Sequence, residues 1–322
     1  MLRALAIVWL MCAASIARTP EGPLGALQTP NDARPALCVA GSTAELVAER
    51  RGTVHLVSDA ARHALAAEWI EQPNGGVEAQ CTIPREVPPG AYALEWSQGD
   101  EMDSTPRAVF VVESELDRYT FACINANAKN FPVLAASLET AQPRFAVVFV
   151  EGGAEQFSAA LAALADCPIP TYFVWHSAPP DAEHWAGPGT YAFSCGPDEF
   201  FALDSGRAGL EDSIGAAPGV FAKLRRERKS ARWAVALLHS IDSNISMRNA
   251  MTLFVDDPVH AVICGAPPAN ANAPTAIEWA GWFEPVPVYS PESDGVRVFS
   301  ASLKDVSPFV PKPIPRAGIA PR

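Results

Sequence analysis

Apolar and polar positions interleave over short stretches in the first third of the chain and cluster into unbroken apolar runs in the rest. Between Ala36 and Glu113 the pattern predicts extended segments at 36–40, 53–57, 77–83, 91–96 and 108–112. Breakers such as Gln72-Pro73-Asn74-Gly75-Gly76 and Pro88-Pro89-Gly90 separate them. Short strands divided by turn signals predict an all-β sandwich of immunoglobulin-like type. The stretch from Ile83 to Leu94 reads as an edge leading into a strand, its prolines blocking further pairing at that edge.

After Asp117 strands and helices alternate. Residues 119–124 form an apolar strand, and Asn130 is placed to cap a helix whose first turn accommodates Pro132. The run 145–150 is apolar throughout, as expected of a strand buried on both faces. Phe157, Leu161 and Leu164 recur at helical spacing before a strand at 171–175. Strand, helix and strand make a βαβ unit with parallel strands. A Pro/Gly-rich loop at 177–189 precedes further strands at 191–194, 199–203, 233–238, 259–264 and 296–299. Helices are expected at 220–230 and around Ile245, Met247, Met251 and Phe254, and an irregular Pro-rich segment follows Ser307.

Composition narrows the function classes. Arg3 precedes an apolar run from Ala4 to Ala14, and Ser15-Ile16-Ala17 supplies small residues before a cut. This is the pattern of a secretory signal peptide, too short to span a bilayer. Met11 stands before Cys12 where a lipoprotein signal wants a small residue. Export to the periplasm or medium is therefore expected, with no membrane span. The formal net charge is −12, and with no concentrated Lys/Arg face nucleic acid is not expected as a partner. The basic run at 223–229 reads as a solvated helix face. Six cysteines follow the leader, Cys38, Cys81, Cys123, Cys167, Cys195 and Cys264. Their even number permits disulfides without establishing them, and Cys38 and Cys81 are placed to pair within the first domain.

In open α/β sheets ligands gather at the carboxyl ends of strands. Those ends carry Asn125-Ala126-Asn127, Glu151-Gly152-Gly153, His176-Ser177-Ala178, His239-Ser240-Ile241 and Gly265-Ala266-Pro267-Pro268. The order resembles the calcineurin-like metallophosphoesterases, whose successive strand ends carry Asp-x-His, Gly-Asp, Gly-Asn-His, His and Gly-His-x-His. Phe200-Phe201-Ala202-Leu203-Asp204-Ser205 is similar to a Phe-rich strand and Leu-Asp-Ser segment of that family. The resemblance runs from about Tyr119 to Phe299 and implies an α/β/β/α sandwich. The expected organisation is a signal peptide at 1–17, a flexible lead-in at 18–35, an immunoglobulin-like domain at 36–115, a metallophosphoesterase-like domain at 118–308 and a Pro-rich tail at 309–322.

The departures from that family fall on its metal ligands. Asn125 and Asn127 stand for Asp-x-His, Gly153 for the bridging aspartate, Ser177-Ala178 for Asn-His, and Ala266-Pro267-Pro268 for the last histidines. His239 alone matches a ligand outright, with His176 one residue out of register and Glu151 close by. A two-metal centre needs bridging carboxylates and several imidazoles. Without them no cofactor is expected, and the reading is a pseudo-phosphatase that binds a protein or small molecule. A divergent phosphoesterase would use His176, His184, His239, Asn125, Asn127 and Glu151 around one divalent ion, Mn, Fe or Zn. A sugar- or anion-binding module would use Asn125, Asn127 and the amides of Gly152 and Gly153. The patch of His176, Asp181, Glu183 and His184 also reads as a polar surface loop. Asp204-Ser205 reads as a turn or cap, and Asp256-Asp257-Pro258 as a helix end.

Overall fold

The structure, a computed structural model, describes residues 26–72, 76–113, 119–126, 131–151, 153–176, 189–204, 231–239, 261–265, 276–277, 286–289, 297–301 and 310–312. The first part is built of strands alone. They are β1 (Leu27–Thr29), β2 (Ala36–Val39), β3 (Thr43–Ala48), β4 (Thr53–Val57), β5 (Arg62–Glu71), β6 (Val77–Thr82), β7 (Gly90–Gln98) and β8 (Glu101–Val112). Their order is β1-β3-β6-β5-β4-β7-β8-β2, antiparallel throughout except for β2 beside β8. β5 changes partner along its length: its first residues pair with β4 and those from Ala66 onward with β6. The sheet thereby folds over itself. Leu46, Ala79 and Cys81 of one half share a core with Val54, Leu94, Trp96 and Val109 of the other.

The lead-in is ordered earlier than the sequence suggests. β1 pairs with β3, and Asn31 and Arg34 form a bridge. The side chain of Asn31 accepts from the amides of Ala33 and Arg34 at 3.0 Å, a local turn in place of flexible chain. Ala33 is buried, which polar context alone does not announce.

The second part contains two mixed sheets facing each other. One comprises β9 (Tyr119–Asn125), β10 (Phe145–Val150), β11 (Thr171–Trp175), β18 (Arg297–Ala301) and β19 (Val310–Lys312), in the order β11-β10-β9-β18-β19. The other comprises β12 (Tyr191–Cys195), β13 (Asp198–Leu203), β14 (Ala234–Leu238), β15 (Ala261–Cys264), β16 (Ala276–Ile277) and β17 (Val286–Tyr289), in the order β12-β13-β14-β15-β17-β16. β9, β10 and β11 are parallel, as are β13, β14, β15 and β17. β19 forms within the segment expected to be an irregular Pro-rich tail: Val310 and Lys312 pair with β18, and an edge position leaves Pro311 no central-strand role to violate. The expected helices at 220–230 and 245–254, and the loop at 177–188, lie outside the described residues.

Strand β10 is buried at every position. Phe145, Val147 and Phe149 enter the core between the sheets, while Ala146, Val148 and Val150 pack under helices α1 (Phe131–Ala141) and α2 (Ala154–Ala163). The inter-sheet core is aromatic: Phe121 and Phe145 stack at 5.0 Å, and Phe200 meets Phe145 edge-on at the same separation. Fully burying each such ring contributes about 1.5–3 kcal/mol.

A buried polar cluster ties the sheets at the amino ends of their strands. Tyr119 of β9 donates to Asp198 of β13 at 2.6 Å, and Arg232 Nε donates to the same carboxylate at 2.8 Å. Asp198 is fully buried.

The two parts of the chain also interlock. The amide of Phe173, on edge strand β11, donates to Ala33 O at 3.4 Å, Ala33 joins the core beneath the helices, and the Arg34 guanidinium lies 4.4 Å over the Tyr191 ring. Arg107 sits at a break in the register of β8 with a left-handed φ of 52°. Its guanidinium donates to the carbonyls of Leu164, Ala165 and Ile169. These include the end of α2, where a cation also meets the negative pole of the helix.

Candidate functional site

Parallel strands bring their carboxyl ends to one edge. In register, Asn125 lies beside Phe149 and Val150 beside Trp175, so Asn125, Glu151 and His176 emerge together from β9, β10 and β11. On the facing sheet Leu238 lies beside Cys264, bringing His239 and Gly265 out together. The amide of Asn125 donates to Gly265 O at 3.3 Å, and the rings of His176 and His239 lie 5.2 Å apart. Four of the residues singled out from the sequence, Asn125, His176, His239 and Gly265, therefore converge where the two sheets meet.

Gly265 makes that meeting possible. A Cβ at this position would stand 2.3 Å from Phe149 Cγ and 2.4 Å from Phe149 Cβ. The close approach is possible only without a side chain.

Gly153 differs. It caps the start of α2, is exposed, and a Cβ there would meet no described atom within 4 Å. Among the described residues, space therefore does not require glycine at the position where the resemblance expects a bridging aspartate. Glu151 is exposed at the end of β10. Asp204 directly follows β13, and its amide donates to Thr190 Oγ1 at 3.1 Å. Asn127, Gly152, Ser177, Asp181, Glu183, His184, Ser205 and residues 256–258 and 266–268 lie outside the described residues.

His239 is 1% exposed, and among the described residues neither ring nitrogen has a hydrogen-bond partner. Burial, then the neighbouring His176, lowers its pKa from 6.5 to about 4. At neutral pH the imidazole is uncharged, with a lone pair on one nitrogen. A buried polar group without a partner costs about 1–3 kcal/mol, which a bound ligand would offset. Among the described residues, no three His, Cys, Asp or Glu side chains group closely enough to hold a metal ion.

The titration of His239 makes a prediction for stability. The folded pKa lies below the unfolded value, so the unfolded chain takes up the proton first as pH falls. Stability from this group is complete above about 6.5 and is lost between there and about 4. The full loss is about 3 kcal/mol at ~1.36 kcal/mol per pH unit. Urea unfolding at pH 7 and pH 4.5 is expected to show a smaller drop in His239→Leu than in the unsubstituted chain. Equal drops would mean that His239 is not held neutral by the fold.

The sequence did not point to Tyr119, Asp198, Arg232 or Arg107. Their partners are far apart along the chain, 79 and 34 residues in the case of Asp198, so no local motif announces them.

No protein-family model and no curated protein matches the chain. Among solved structures it is similar to PhoD, with 12% identity over 76% of this chain and 70% of that one, and a TM-score of 0.34. It is also similar to the amylomaltase from Corynebacterium glutamicum, with 13% identity over 40% of this chain and 21% of that one, and a TM-score of 0.21. Likenesses this slight assign neither activity nor substrate.

Proposed function

We propose that the chain is an exported pseudo-phosphatase: a metallophosphoesterase-like α/β/β/α sandwich that binds a ligand or partner at its strand ends without hydrolysing a phosphate ester. The observation that carries this reading is the commitment of Asn125. Its amide joins the sheets through Gly265 O, at a position where the resemblance would have an anionic ligand. Gly153 adds no carboxylate, and a Cβ there would meet no described atom within 4 Å. A dinuclear centre needs such carboxylates to hold two cations about 3.5–4 Å apart. In the first part of the chain, Tyr92 donates to Pro88 O at 2.8 Å, like the tyrosine corner of immunoglobulin-like sandwiches. This supports the immunoglobulin-like reading.

The residues present suit one divalent ion better than two. Two imidazoles on one tetrahedral ion place their ring centres about 5 Å apart, given metal–nitrogen distances of ~2.0–2.1 Å; those of His176 and His239 are 5.2 Å apart. Such an ion, when bound, would act as a Lewis acid. His239 would hold it through a neutral nitrogen already stripped of water, and His176 would close the site from the facing sheet. This spacing favours a second reading, a divergent one-metal phosphoesterase.

Metal analysis and an aryl phosphate assay separate the two. The pseudo-phosphatase predicts no hydrolysis with Mn, Fe or Zn added. Two equivalents of tightly held metal would overturn it, as would hydrolysis abolished by a chelator and by His239→Ala. A sugar or anion as the ligand would show as thermal stabilisation without product.

A further inference from the structure

The six described cysteines are buried free thiols, and two of them, Cys38 and Cys81, belong to the all-β core. Cys38 is the third residue of β2, and a tight turn follows it, closed by Ser42 N donating to Val39 O at 2.9 Å. That turn is pinned to the far end of β6 from both sides. Gly41 N donates to Ile83 O and Ile83 N to Ser42 O, each at 2.9 Å. Cys81 lies two residues before Ile83, so both side chains point to the same face of the strand, and both are buried in the core that holds Cys38. β2 and β6 belong to opposite halves of the folded sheet.

We propose that Cys38 and Cys81 form a disulfide across the sandwich when the chain folds with a disulfide oxidant present, the free thiols being the reduced form of that pair. Burial, reinforced by Cys81, pushes the Cys38 thiol up to about 12, and burial pushes Cys81 up to about 11. Closed in the core, both are poor nucleophiles at neutral pH, because the thiolate is the attacking species. The bond is therefore made before the sandwich closes. One cysteine thiolate attacks glutathione disulfide, forming a mixed disulfide and releasing one glutathione thiolate. The second cysteine thiolate attacks the protein sulfur of that mixed disulfide and releases the other glutathione. The pair loses two electrons and two protons, and one glutathione disulfide becomes two glutathiones. The remaining thiols are placed elsewhere: Cys167 beneath α2, Cys123 and Cys195 between the sheets, and Cys264 on β15.

The test is to refold the full chain in mixed reduced and oxidised glutathione, block free thiols under denaturing conditions and map the peptides by mass without reduction. The expected product is a linked pair of peptides containing Cys38 and Cys81, with the other four cysteines after the leader blocked. The urea midpoint should be higher than that of the reduced chain, and Cys38→Ala should abolish the difference. Blocked thiols at both Cys38 and Cys81, or either of them linked elsewhere, would overturn the proposal without requiring any variant to fold.

Discussion

Replacing Asp198 with alanine is expected to lower the unfolding free energy by about 3–5 kcal/mol, the cost of leaving a buried charge without its partner. The carboxylate is fully buried and takes hydrogen bonds from Tyr119 and Arg232, whose side chain is 12% exposed. Alanine leaves both donors stranded between the sheets. Removing the arginine as well should cost less than the two single losses combined, because the second change takes away the charge that the first left unpaired. Urea unfolding of Asp198→Ala, Arg232→Leu and the double variant measures this. Strict additivity, or a loss below about 1 kcal/mol, would show that the cluster does not hold the sheets together.

Gly265→Ala is expected to be comparably damaging, at about 3 kcal/mol or more, the upper end of overpacking costs. The added methyl would overlap Phe149 Cβ as well as its ring, so a change of rotamer cannot relieve it and strand β10 itself must move. Phe149→Leu keeps that Cβ and should therefore fail to rescue. Recovery of stability in Gly265→Ala/Phe149→Leu would place the conflict at the ring alone. Because Asn125 bonds to Gly265 O, the displacement also reaches the site: ligand affinity there should fall by more than the lost stability explains.

The strands that were legible in the sequence are those whose burial leaves a compositional mark. The run 145–150 coincides with β10, and 53–57 with β4. β3 and β5 were less legible because small alanines hold several of their positions and leave little apolar contrast with the exposed Glu45 and Glu68. β1 is three residues long, too short for any periodicity. At the site, strand-end reading picked out Asn125, His176, His239 and Gly265, which lie together because parallel order dictates where carboxyl ends gather. What those residues do with one another was not legible. That Asn125 joins two sheets, that His239 lacks a hydrogen-bond partner among the described residues, and that Gly265 yields to Phe149 all follow from how one sheet lies on the other, a relation no local pattern encodes.

Strand β10 carries one more implication. In a half-exposed strand, a slip of one residue would turn apolar side chains toward water, and solvent would reject it. With both faces sealed, water has no such vote. The rejection must come from size: a slip would drive Phe145 and Phe149 under the helices, into space filled by Ala146, Val148 and Val150, and leave the aromatic layer hollow. Register here is proofread by volume, and the strand ends that compose the site inherit their alignment from it.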